Sequence, residues 1–325
     1  MNQDAVLMKE WLPAAYATDV KDAPFGVILM GERIVLFRTS EGIHAWKDLC
    51  IHRGAALSLG KVVDDTLVCP YHGWRYDGTG GCVLIPQQNP NQAITKQARA
   101  ITYEACEANG IIWVRLESGS ATRPPVFTEF EDESFHMAFC DTYELKAAAP
   151  RVIENFLDVG HLAFLHEGYL GDSAYPEISD YTVNTSEEGI RSSEIDVFQP
   201  DPDGRGRPVT ARYIYEVLKP TVARLKKTDP DTSSTFSILF AVMPVQPTVS
   251  KVFVVLGRNY AFDVPDKQFT DFQTLILSQD EIVLESQRPE LLPLDLQAEL
   301  HLKCDRLSIA YRKWLVELGM TWGTA

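Results

Sequence analysis

Long hydrophobic runs are missing from this 325-residue sequence. The best of them, FSILFAVMPV, contains Pro244 and falls well short of the ~20 apolar residues that a bilayer requires. No membrane-spanning helix is therefore expected. The first twenty residues, MNQDAVLMKEWLPAAYATDV, lack the basic flank and apolar centre of a secretory signal, so a cytoplasmic location is expected. Positive charge is short as well, with 30 Lys and Arg against 45 Asp and Glu and a net charge of −15. Without a basic stripe, nucleic acid is not an expected partner, and the acidity reads first as solubility. Cysteine is scarce: six in all, too few without a secretory signal to suggest a disulfide framework. Four of them, Cys82, Cys106, Cys140 and Cys304, stand alone and read as reduced, partly buried thiols. A glycine-rich dinucleotide fingerprint is also missing. DPDGRGRP has the composition of a turn and the wrong glycine spacing, so no flavin or nicotinamide site is expected in this chain.

What remains is a chain of globular balance, 45% hydrophobic and 23% charged, long enough for two domains. The first third is strand-rich. FGVILMGERIVLFRT reads as two strands around a Gly31-Glu32 turn, GIIWVRLE as another strand, and DGTGG as a tight turn. The polar, proline-containing segment 117–127 has linker composition, which predicts domains over 1–118 and 119–325. In the second, RVIENFLDVGHLAFLHEG has helical apolar spacing with Gly168 as a stop signal. RYIYEVLK, SSTFSILFAVMPV and SKVFVVLGRNYAF read as strands; FTDFQTLILSQDEIVLESQR and CDRLSIAYRKWLVELG read as helices. An antiparallel sheet flanked by helices, hence α+β, is expected.

The chemistry begins with Cys50-Ile51-His52 and Cys69-Pro70-Tyr71-His72. Zinc sites usually present cysteine pairs and histidine pairs, whereas each cluster here offers one sulfur and one nitrogen. That mixture suits a [2Fe–2S] centre in which two thiolates hold one iron and two imidazoles the other. Gly54 and Gly73 follow the two clusters and let both loops approach a buried inorganic centre. Tyr71 and Trp74 read as packing around it. C-x-H-R-G with C-P-Y-H-G-W resembles the Rieske domain of non-haem iron oxygenases. Respiratory Rieske subunits carry two further cysteines that form a disulfide; the matching positions here are Ala55 and Tyr71, so the resemblance is to the oxygenase branch.

The segment ENFLDVGHLAFLHEG supplies a second set, Asn155, Asp158, His161 and His166. Two histidines and a carboxylate on one face of an iron leave positions open for dioxygen. Residues five apart on an ideal helix are rotated by roughly 140°, so His161 and His166 cannot share a face of a regular helix. A π-bulge, or a helix that ends just before His166, is predicted. The resemblance to Rieske oxygenases now spans both domains. It implies that His161 and His166 hold a mononuclear Fe(II). It also implies that Asp158 links His161 to His72 of the partner subunit in a homotrimer, which makes Asp158, with Asn155, the candidate catalytic residues. A carboxylate that orients a metal-bound imidazole fits that role. SQDEIVLESQRPE resembles the D-x-x-[VI]-[LI]-E-S-Q stretch of caffeine-type N-demethylases, which selects Asp280 as third ligand over Glu281 and Glu285. His44, His136 and His301 fall outside any metal pattern and read as structural or surface residues.

The resemblance implies an N-terminal all-β Rieske domain and a C-terminal helix-grip (START-like) catalytic domain. One [2Fe–2S] cluster and one Fe(2+) per chain are implied, with O2 as co-substrate. A separate NAD(P)H-dependent reductase or a ferredoxin must supply electrons, and the acidic surface suits docking of a basic electron-transfer partner. Similarity is to the smaller homotrimeric members: vanillate and dicamba O-demethylases, caffeine N-demethylases and saxitoxin-pathway C–H hydroxylases. The expected reaction is monooxygenation, either hydroxylation of a C–H bond or oxidative demethylation of a small aromatic or N-heterocyclic substrate. An arene cis-dihydroxylating dioxygenase and a simple Rieske electron carrier are the alternatives. Tyr169, Leu170, Phe236, Leu239 and Val254 are the candidate pocket residues.

Overall fold

The FGVILMGERIVLFRT hairpin forms, as strands Phe25–Leu29 and Glu32–Thr39, in a computed structural model that describes residues 4–118, 123–187 and 189–325. The turn is one residue earlier than expected. Met30 and Gly31 occupy it, both with positive φ, and Glu32 already belongs to the strand. Two compact units result: Met8–Pro124, and Pro125–Ala325 together with the residues up to Leu7. Asp4 ties that N-terminal piece to the second unit, its Oδ2 accepting from the Trp322 amide at 2.8 Å and the Thr321 hydroxyl at 3.0 Å. The expected domain boundary falls beside residues 119–122, which lie outside the described residues.

Among its described residues, the Met8–Pro124 unit contains only strands and short 3-10 turns. Six antiparallel strands run in the order Leu12–Tyr16, Ile111–Arg115, Thr102–Ala108, Gly42–Lys47, Glu32–Thr39 and Phe25–Leu29. A smaller sheet holds Lys61–Val63, Thr66–Val68, Arg75–Tyr76 and Cys82–Leu84. Val35, Phe37, Trp46, Leu57, Leu67 and Tyr76 pack into one core, and Cys50 and Cys69 are part of it. The metal-directed cysteines thus emerge from a rigid apolar base.

The second unit is built on a nine-stranded antiparallel sheet. Its central ladder runs Val209–Lys219, Val222–Thr228, Thr235–Gln246 and Val249–Arg258. Among the described residues three helices accompany it: α1 (Ala149–Leu157), α2 (Asp266–Ser286) and α3 (Arg306–Leu318). Pro150 in the first turn of α1 costs no hydrogen bond there. The α+β expectation holds. No described helix is long and apolar enough to cross a membrane.

One helix is shorter than its apolar periodicity predicts. α1 stops at Leu157 instead of running to Gly168, and no π-bulge forms. Asp158 turns extended, with φ −79° and ψ 117°, and its Oδ1 accepts from the Gly160 amide at 2.7 Å. This local side-chain bond offers the backbone an alternative to the helix, and the chain takes it. His161 then sits on a separate 3-10 turn, Gly160–Ala163, and His166 lies beyond it. The helix end comes earlier than just before His166, and it removes the angular conflict between the two imidazoles.

Candidate metal centres

The two loops that carry Cys50-x-His52 and Cys69-x-x-His72 are built alike. Gly54 N donates to Cys50 O at 2.8 Å, and Gly73 N to Cys69 O at 3.1 Å. Cys50 N donates to Ala55 O, and Cys69 N to Trp74 O, each at 2.8 Å. Both glycines turn with positive φ, +72° and +71°, a region that side chains rarely adopt. The thiols are buried, each cysteine 1% exposed. Burial raises the Cys69 pKa, while the amides of Tyr71 and His72, aimed at the sulfur, oppose that rise.

The imidazoles of His52 and His72 lie with ring centroids 4.5 Å apart. Nδ1 of each is buried with no hydrogen-bond partner among the described residues. Trp74 stacks on His52 at 4.5 Å and 7° and packs as expected; Tyr71 tilts over His72 but leaves most of its ring in solvent. Two buried sulfurs and two buried, unpartnered ring nitrogens fit a group that takes two ligands of each kind, as a Rieske [2Fe–2S] cluster does. Cys82, Cys106, Cys140 and Cys304 are free thiols, Cys140 fully buried with its pKa raised to about 12 by desolvation.

The second centre gathers residues from three places in the chain. His161 Nε2 and His166 Nε2 are 3.2 Å apart, and Asp280 Oδ1 lies 3.5 Å from the first and 3.2 Å from the second. Metal bonds of roughly 2.1 Å at right angles separate their ligand atoms by about 3 Å, so the triangle fits three facial positions on one ion. Asp280, on α2, is 5% exposed. Glu281 points to solvent, and Glu285 accepts from the Lys146 amide at 3.0 Å, so neither joins the group.

The surrounding bonds orient the three side chains. Gln279 Oε1 lies 2.7 Å from His166 Nδ1, and Asn155 Nδ2 donates to Asp280 Oδ1 at 3.2 Å. Asp158 Oδ2 lies 3.4 Å from His161 Nδ1. Burial alone would lower the His161 pKa; the Asp158 carboxylate beside it, with Asp280, raises it instead. The same pairing outweighs burial at Asp158 and holds its carboxyl below the usual range. Such partners fix the tautomer of a ligating imidazole. Gln279 carried no signal in the sequence beyond adjacency to Asp280.

Gly171 braces the set. A Cβ there would stand 2.6 Å from Ala163 Cα, so only glycine lets the loop after His166 lie against the turn that carries His161. Of the outlying histidines, His44 bonds Thr39 Oγ1 at 2.8 Å and His136 reaches Asp266 at 2.9 Å, both structural. His301 does not join the His161, His166 and Asp280 group, and its buried Nε2 has no partner among the described residues.

An apolar cavity opens on Asp280 and the two imidazoles. Phe156, Leu162, Tyr215, Ile238, Phe240 and Ile276 supply much of its wall. Of the expected pocket residues, Leu170 and Phe236 line it. Tyr169, Leu239 and Val254 do not. Successive strand residues face opposite sides, so with Phe236, Ile238 and Phe240 toward the cavity, Leu239 points away. Val254 pairs with Phe240 across the ladder and is covered, and Tyr169 packs edge-on against Phe272 at 5.8 Å. Lys227 and Gln273, polar wall residues that the sequence reading missed, follow no spacing rule visible in one dimension.

Residues 10–103 match the Rieske [2Fe-2S] domain family, and residues 145–320 match the vanillate O-demethylase oxygenase C-terminal domain family. Methylxanthine N1-demethylase NdmA of Pseudomonas putida is 32% identical over 318 residues, covering 95% of this chain and 88% of that protein. The structure of Pseudomonas putida NdmA with caffeine superposes with a TM-score of 0.86 at 31% identity, covering 96% of this chain and 90% of the other. Dicamba monooxygenase bound to dicamba shares the fold, with a TM-score of 0.83 at 21% identity over 96% of this chain and 97% of that one. These relatives favour monooxygenation over arene cis-dihydroxylation and over simple electron carriage. In such proteins NAD(P)H drives the reaction through a separate reductase. The chain belongs to the Rieske non-haem iron oxygenases, as an oxygenase component with a [2Fe–2S] cluster, a mononuclear iron and O2 as co-substrate.

Proposed function

We propose that this protein oxidatively demethylates a small methylated aromatic or N-heterocyclic compound in the cytoplasm. The observation that carries the reading is the triangle of His161, His166 and Asp280 at one end of an apolar, aromatic cavity. Similarity to a methylxanthine N1-demethylase over nearly the whole chain supports the same chemistry. Cys50, His52, Cys69 and His72 are assigned to the cluster; His161, His166 and Asp280 are assigned to the iron. The cluster supplies single electrons and the iron supplies dioxygen activation.

The chain's own residues set the geometry. Asn155 and Gln279 hold Asp280 and His166 in place, and Phe156, Tyr215 and Phe240 keep water from the reacting methyl group. Asp158 is assigned the link between His161 and His72 of the partner subunit, which requires an oligomer, and a homotrimer is proposed. The reaction balances as R–CH3, O2, two electrons and two protons giving R–CH2OH and water. On a nitrogen or oxygen substituent, R–CH2OH then releases formaldehyde and leaves R–H.

A single turnover of reduced protein under ¹⁸O2 with methylated N-heterocycles, aryl methyl ethers and unsubstituted arenes tests this. Equal amounts of demethylated product and formaldehyde are expected. An arene diol carrying two ¹⁸O atoms would overturn the reading.

A further inference from the structure

The iron cavity has a second polar end. The ladder places Tyr213 opposite Lys227 and Lys227 opposite Phe236, so these three side chains form one row across neighbouring strands. Lys227 lines both the cavity and a larger pocket of about 570 Å³ whose lip includes Pro202, Asp203 and Arg205. It is 7% exposed. Its Nζ donates to Pro202 O at 3.0 Å and lies 4.8 Å from the Phe236 ring centre and 5.9 Å from that of Tyr213.

Among the described residues, no carboxylate pairs with this ammonium. Asp203 is near, but its oxygens receive Arg205 Nε at 3.0 and 2.9 Å and the Tyr260 hydroxyl at 2.7 Å. Arg258, paired with Phe236 across the next strand, shows what a structural cation looks like here. It donates to Tyr260 O, Ala261 O, Val264 O and Asp266, four acceptors against one for Lys227. A buried cation with donors left over is costly unless something else completes it.

The position suits a ligand that also reaches the iron. Phe240 stacks on Phe156, the neighbour of Asn155, at 4.3 Å, and so marks the metal end. The Phe236 row lies four residues along the same strand, about 13 Å away. On the helix side, Phe269, whose ring is 6.2 Å from Phe236, precedes Asp280 by eleven residues, or about 16 Å.

We propose that Lys227 selects substrates bearing a carboxylate, which it binds at the end of the cavity remote from the iron while the methyl group meets the metal. This rests on the demethylase reading and adds the substrate's charge to it. Burial already lowers the Lys227 pKa to about 8, with Asp203 opposing, so the lysine is charged at neutral pH and loses its charge soon above it.

The test is calorimetric binding to the loaded protein with two matched pairs long enough to span the cavity: 4-(4-methoxyphenyl)butanoate and its amide, and 4′-methoxybiphenyl-4-carboxylate and its amide. The wild type should prefer the acid of a pair by tenfold or more, with the preference fading between pH 7 and 9.5. Lys227→Met should erase the preference by weakening the acid far more than the amide; Lys227→Gln serves if the methionine variant does not fold. Visible absorption of the cluster checks integrity. Equal or better binding of amides by the wild type, no binding of either acid, or an acid preference that survives in the variants would overturn the assignment. Formaldehyde release from the neutral probes alone would then leave the demethylase reading standing, whereas the absence of formaldehyde from every methylated probe would remove that reading itself.

Discussion

Asn155 Nδ2 donates to Asp280 Oδ1 at 3.2 Å, across 125 residues of sequence. That oxygen is the one that lies 3.2 Å from His166 Nε2 and 3.5 Å from His161 Nε2. The amide therefore fixes which carboxylate oxygen, and which rotamer, faces the two imidazoles at the proposed metal position. Asn155→Ala should lower turnover by about 10- to 100-fold. Iron per chain should fall toward about two, the content of the cluster alone. Iron analysis beside the visible spectrum separates the centres: full iron with full turnover would show that Asp280 needs no such support.

Gly171→Ala should damage the same centre without touching any proposed ligand. The added methyl would meet Ala163 N at 2.7 Å and Leu162 C at 2.8 Å, both backbone atoms that cannot rotate away. The turn carrying His161 must shift, and mononuclear iron should drop while acid-labile sulfide stays at the wild-type level. An alanine variant with undiminished iron would mean that the loop after His166 is free to retreat.

A glycine of a cluster loop and one from the second unit make a matched pair of substitutions. Gly54 and Gly206 have φ of +72° and +66°, and a Cβ added at either would meet nothing within 4 Å, so alanine adds backbone strain alone. That strain is ~1–2 kcal/mol at either position. Gly54→Ala should lose sulfide and visible absorption, because its amide closes the Cys50 loop. Gly206→Ala should keep both. Equal sulfide in the two variants would detach loop closure from cluster retention.

Glu129 governs part of the acid stability of the second unit. It is 3% exposed, accepts from Ser237 Oγ at 2.7 Å and pairs with Arg224. Burial alone would raise its pKa, but these donors win and hold the carboxyl below its ordinary value. A depressed folded pKa contributes stability that is present above the unfolded value of about 4.3 and is lost as pH falls through the folded one. Glu129→Gln should destabilise the fold at pH 7 by less than the ~3 kcal/mol of a stranded buried charge, since Arg224 keeps Glu216 Oε2 at 2.7 Å. Denaturant curves for variant and wild type should converge toward pH 3. A constant gap down to that pH would assign the acid limb to other carboxylates.

Local chemistry made much of this protein legible in one dimension. Cys50, His52, Cys69 and His72 announce themselves because a cluster held by two sulfurs and two nitrogens demands those residue types at short spacing, with Gly54 and Gly73 beside them. The ladder strands 209–219, 235–246 and 249–258 and the helices α2 and α3 follow from periodicity, since each must bury one side or both. Even the failure of a regular helix to align His161 with His166 follows from the angle per residue.

Other features depend on where distant segments meet. α1 ends at Leu157 because the Asp158 side chain captures the Gly160 amide, an outcome that apolar periodicity does not register. Asp280 and Glu281 are equivalent as letters; the packed face of α2 turns one toward the imidazoles and the other to solvent. Leu239 and Phe236 are equally apolar, and strand parity alone separates wall from backing. Lys227 is the clearest case. Adjacent Lys226 and Lys227 look alike in sequence, and only the burial of one against Phe236 and Pro202 leaves it a charge that the described residues do not pair.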